Sequence, residues 1–147
     1  MTTTIIHVVF FQFKPELAAE ERREVCKTPP WSDLSTTMAP PALYRMIATY
    51  HGADATLVQL CDQMLELKNR CMHPATAKPY IKSSVGGLDM SIEGMQDGLT
   101  HAFVVEFQSQ EDRDYYVQED PAHKAFVESM LQRLAKARIL DFSPGVF

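Results

Sequence analysis

The sequence is poor in several features that would place it in a large functional class. It has no cluster of lysine and arginine, and its formal net charge is −5. That argues against nucleic acid as a partner, because binding it needs grouped cations that release counterions. An anionic membrane surface is disfavoured on the same ground. No apolar stretch reaches the length needed to span a bilayer. Residues Met1 to His7 carry neither a basic region nor a cleavage site, so no secretory signal and a cytoplasmic location are expected. Cysteine is scarce and odd in number. Cys26, Cys61 and Cys71 show neither disulfide-framework nor metal-ligand spacing, as suits a reduced chain.

What is present is enough for one globular domain over residues 1–147. The chain is 46% hydrophobic and 22% charged, ample for a proper core. Thr4 to Lys14 alternates so that Ile5, His7, Val9, Phe11 and Phe13 share one face while Ile6, Val8 and Phe10 share the other. Both faces are apolar, so this strand is expected to be covered on both sides. A helix is expected to start at Glu16. The pattern breaks between about 27 and 56, where Pro29-Pro30 and Pro40-Pro41 stand among serines and threonines. Helical spacing resumes at Leu57 and runs to about Met72. Removing residues 27–61 would join two in-phase helical segments, so the stretch reads as an insert in the first helix, lineage-specific or an artefact of the gene model.

A second strand is expected from Pro79 to about Met90, with a bulge or bend at its glycines, and a third over Thr100 to Phe107. Ser109 caps a short helix to Val117. Asp120 then caps another, with Pro121 in the first helical position where its missing N–H costs nothing. This helix is expected to reach about Leu134, and a last strand to cover Ala137 to Phe142. The order is that of a split βαβ: an α+β, ferredoxin-like fold with a four-stranded antiparallel sheet and helices on one face. One helix layer covers only one sheet face, so a homodimer with two facing sheets is the economical way to bury the other.

Several separated segments together resemble the stress-response A/B barrel family. They are Ile6 to Lys14, Gly87 to Gly94, Gly98 to Phe107, Tyr116 to Phe126 with its Asp-Pro-Ala-His core, and Leu140-Asp141-Phe142. The resemblance implies a dimeric α/β barrel. The family holds proteins of unassigned role induced by stress, and also olivetolic acid cyclase, which closes a linear polyketide without metal or organic cofactor. Matched motif to motif, the resemblance implies His123 and Tyr116 as an acid/base pair, with His7 and His101 lining a substrate pocket. This chain has one extra residue between tyrosine and histidine, so Tyr115 stands as a rival to Tyr116 and is otherwise expected to line the substrate pocket with His7 and His101.

Elementary chemistry runs parallel to the resemblance. An imidazole titrates near neutrality and a phenol can donate to a developing enolate, as proton abstraction beside a carbonyl requires. The three histidines could supply three metal nitrogens, but no carboxylate or cysteine has ligand-like spacing with them; neither a metal nor a cofactor is expected. Two readings stay open. One is a cofactor-free, polyketide cyclase-like enzyme acting on a small hydrophobic carbonyl substrate. The other is a non-catalytic, stress-associated dimeric binding protein in which His123 only fixes a helix corner.

Overall fold

The computed structural model describes residues 3–17 and 57–147. Seven elements follow in order: β1 (Ile5–Phe13), α1 (Leu57–Arg70), β2 (Ile81–Leu88), β3 (His101–Phe107), α2 (Gln110–Gln118), α3 (Pro121–Leu131) and β4 (Leu134–Phe142). The helix expected from Glu16 begins with helical backbone at 15–17. Its remainder, and the insert expected at about 27–56, lie outside the described residues.

The strands form one antiparallel sheet in the order β2-β3-β1-β4, the ferredoxin-like arrangement. Alternation along β1 is expressed as burial: Ile5, His7, Val9, Phe11 and Phe13 are buried, and the residues between them are half-buried. The buried face meets Phe103, Val105 and Phe107 of β3 and the helix layer. Leu60, Met64 and Leu67, at spacings of four and three, put one stripe of α1 into that core. Phe126 and Met130 do the same for α3.

The other sheet face has no helix over it among the described residues. The register aligns Val85, Val104, Val8 and Leu140 in a row across all four strands. Val85 and Leu140 are 60% and 62% exposed, and Phe142, beside Ile6, is 50% exposed. An apolar row this exposed on a sheet face is the sort that a second sheet covers.

The structure differs from the sequence reading at the end of α3, at the start of β4 and in the irregularity of β2. Helix α3 closes at Leu131, and β4 begins at Leu134, three residues earlier than expected, because Phe13 pairs with Leu134. The irregularity in β2 falls between Ile81 and Ser83, and not at its glycines. Gly86 has a different task. A Cβ there would stand 2.3 Å from Cδ1 of the buried Phe103 ring and 2.8 Å from the Ala102 carbonyl oxygen. The missing side chain is the space that Phe103 occupies.

Candidate functional site

The site grows from the junction between α2 and α3. Ser109 caps α2, its hydroxyl accepting from the Asp112 N–H at 3.1 Å. The helix ends where the Tyr115 carbonyl accepts from both Glu119 and Asp120, at 2.8 and 2.9 Å. Asp120 then caps α3, accepting from the N–H groups of Ala122 and His123 at 2.8 and 3.1 Å.

The two tyrosines diverge at this corner. Tyr116 is fully buried and stacks on His123, ring centroids 3.8 Å apart at 29°. Tyr115 packs instead edge-on against Tyr80 at 5.7 Å. His7, from the centre of β1, presents its ring edge to Tyr116 at 5.8 Å. The fold therefore brings His7, Tyr116 and His123 together.

His101 lies elsewhere. It shares the buried face of the sheet, but the register sets it opposite Phe11, while His7 stands opposite Val105. Four residues along a strand amount to about 13 Å. His101 packs on Phe13 at 5.0 Å, and its Nδ1 meets the Thr100 hydroxyl at 2.9 Å. It borders a separate cleft of about 330 Å³ lined by Leu57, Cys61, Leu65, Gly86 and Phe103 among others.

Electrostatics at the junction favour neutral groups. Burial, with a further push from His7, lowers the His123 pKa from 6.5 to about 4, against the pull of the Tyr116 backbone and the Asp120 charge. The imidazole is thus unprotonated at neutral pH. Burial raises the Tyr116 phenol well above its ordinary value, so it keeps its proton. Two polar atoms here, Tyr116 Oη and His123 Nδ1, are buried without a hydrogen-bond partner among the described residues. Such atoms are costly to leave unsatisfied, about 1–3 kcal/mol each, and are the natural handles for a polar ligand group.

Sequence reasoning assigned no role to the groups that hold His7. Its Nδ1 lies 2.5 Å from Asp141 Oδ1, and a carboxylate only accepts, so Nδ1 carries the hydrogen. Asp141 Oδ2 accepts from Arg113, whose Nε donates to Asp114 at 2.8 Å. The parity of β4 held a faint signal, since alternate residues of a strand share a face. Its register with a strand 134 residues away did not. Among the described residues no three His, Cys, Asp or Glu side chains gather in a group able to hold a metal ion, and no helix is long and apolar enough to cross a membrane.

Comparison with known proteins agrees with this architecture. A protein from Arabidopsis thaliana matches in structure with a TM-score of 0.60 at 23% identity, over 97% of each chain. The hydroxynitrile lyase from Passiflora edulis matches with a TM-score of 0.60 at 19% identity, over 100% of this chain and 99% of that one. A dimeric ferredoxin-like protein of unknown function from Thermobifida fusca matches with a TM-score of 0.51 at 15% identity, over 97% and 92% of the two chains. No curated protein sequence matches. At these identities the likeness is one of fold. The profile of the Stress responsive A/B Barrel Domain, Dabb, matches residues 53–144, and the chain belongs to that family.

Proposed function

We propose that this Dabb protein is a homodimeric, cofactor-free enzyme in which His123 accepts a proton from a small hydrophobic carbonyl substrate and Tyr116 hydrogen-bonds the oxygen that becomes negative. The stacked Tyr116–His123 pair, with a buried polar atom on each ring that lacks a hydrogen-bond partner among the described residues, carries this reading. A neutral imidazole can take a proton, and a phenol that keeps its own can stabilise an enolate in a dry setting. His7, fixed through Nδ1 by Asp141, stands at the edge of the pair as a third polar group. The Passiflora lyase of similar fold makes a cyanohydrin a sensible second test compound beside a β-polyketo thioester.

The homodimer is supported by the exposed apolar row on the open sheet face and by relatives of the same fold that are dimeric. The cytoplasm is the compartment in which we place it.

His123→Ala and Tyr116→Phe test the catalytic reading on both compounds. Removing a general base or an oxyanion donor costs about 10²–10⁴-fold in turnover. Unchanged turnover in folded variants would overturn it. One observation favours the alternative, a non-catalytic, stress-associated dimeric binding protein: the apolar cleft beside His101 is built without His123 or Tyr116. On that reading a hydrophobic ligand binds with equal affinity to the wild type and to His123→Ala, and neither turns it over.

A further inference from the structure

We propose that Asp120 and Tyr80 form a buried positioning pair that holds the His123 ring against Tyr116. The inference rests on the acid–base reading of that ring pair for its catalytic consequence, and on geometry for its existence. Asp120 is 1% exposed, and its carboxylate accepts from the Tyr80 hydroxyl and two backbone N–H groups, with the Cys71 thiol also beside it. Oδ1 takes the N–H groups of Ala122 and His123, which fixes the first turn of α3 and so the Cα–Cβ direction of His123. Oδ2 takes the Tyr80 hydroxyl at 2.8 Å.

Tyr80 is itself immobilised. It precedes β2, is 8% exposed, and lies between the ring of Phe107 at 6.3 Å and that of Tyr115 at 5.7 Å. The chain of contacts thus runs from the sheet through Tyr80 to Asp120, and from Asp120 through two backbone N–H groups to His123. An N-cap that needed only to start a helix would do as well in water. Here the cap is buried, and its second oxygen is tied to a residue 40 positions away. Side chains rather than the helix alone therefore set the angle at which α3 leaves the corner. Asp120 is a positioning residue and not a catalytic one, because it reaches the ring only through the backbone.

Burial with the Asp120 hydrogen bond raises the Tyr80 phenol far above its ordinary range. Burial, then the Asp120 charge, pushes the neighbouring Cys71 thiol up to about 12. The titratable groups acting on the His123 ring are His7 from β1 and Asp120 at the turn, with Tyr116 of α2 stacked on it.

The test is NMR of the labelled full chain, following the His123 imidazole signals, their contacts to the Tyr116 ring and their titration. Tyr80→Phe keeps the packing and both cap bonds but removes the hydroxyl bond that ties Oδ2 to the segment before β2. The expected result is loss of His123–Tyr116 contacts and a rise of the His123 midpoint by at least about one unit from near 4 towards 6.5. Asp120→Ala is expected to lose the ring contacts too, while Asp120→Asn, whose amide oxygen still accepts the two N–H groups and whose amide N–H can donate to the Tyr80 hydroxyl, keeps them. Wild-type contacts and midpoint in a folded Tyr80→Phe protein would overturn the proposal, whatever Asp120→Ala does to folding. These signals are read without substrate. Failure of the acid–base reading would appear only in turnover, and failure of the pair only in the spectra.

Discussion

His123 and Tyr116 are both kept neutral by burial, and at the scale of single residues this has a defined pH signature. The His123 pKa falls from 6.5 to about 4 in the folded chain, so between those values the unfolded chain binds more protons. Native stability from this group is complete above pH 6.5 and is lost as pH falls towards 4. It is on the order of 2 kcal/mol, scaled down from the full shift for the ring's partial exposure. Denaturant titrations at pH 7.5 and 4.5 should show this loss in the wild type and a smaller one in His123→Gln. Turnover should hold as pH is lowered below 6 and fall only near 4. A limb at 6.5 would mean that the base is another group. Gly86→Ala is a second residue-scale case. The new Cβ meets a buried ring and a backbone oxygen that cannot withdraw, and a loss of about 2 kcal/mol is expected by denaturant titration.

At the scale of the element, α2 is the least anchored part of the helix layer. Tyr116 is its one buried residue, and the Ser109 cap holds its start. Packing and chemistry therefore meet in a single side chain, and two substitutions separate them. Tyr116→Ala removes the anchor and is expected to cost about 3–5 kcal/mol, seen as an early thermal transition. Tyr116→Phe keeps the ring and deletes a hydroxyl that has no partner among the described residues, so stability should be unchanged or slightly higher while turnover is lost. Both caps at this corner, Ser109 and Asp120, were legible in the sequence because capping is local chemistry. So was the face on which His7 and His101 lie. That the two histidines stand apart was not, because alternation gives the face and only register gives the distance along it. The same limit hid Asp141 and Tyr80, whose partners are 134 and 40 residues away. The start of β4 was missed because Leu134 also fits the helical stripe of Phe126 and Met130.

At the scale of the whole molecule, the fold was readable because β1 and β3 carry a clear alternation, α1 an apolar stripe, and α2 and α3 their own caps. The apolar back of β1 further pointed to a partner sheet. Light scattering should give a particle of twice the 16.6 kDa chain, and Val104→Arg, which sets a charge in the middle of the apolar row, should reduce it to one chain. A monomeric wild type at micromolar concentration would remove the dimer.

The place of β1 in the sheet also bears on how the protein is made. Strand β1 is an inner one, flanked by β3 and β4, and it precedes both in the sequence by a long stretch of chain. During synthesis its hydrogen-bonding edges and its Phe-rich face must wait for β3, which begins at His101, and then for β4, which begins at Leu134. The closure cost of that long wait grows only as the logarithm of the intervening length, so extra residues between β1 and α1 burden equilibrium stability little. They burden folding more, because such distant pairing is slow and leaves an apolar strand unpaired meanwhile. Nascent chains stalled before residue 134 should accordingly be bound by chaperones through β1 and released once β4 emerges.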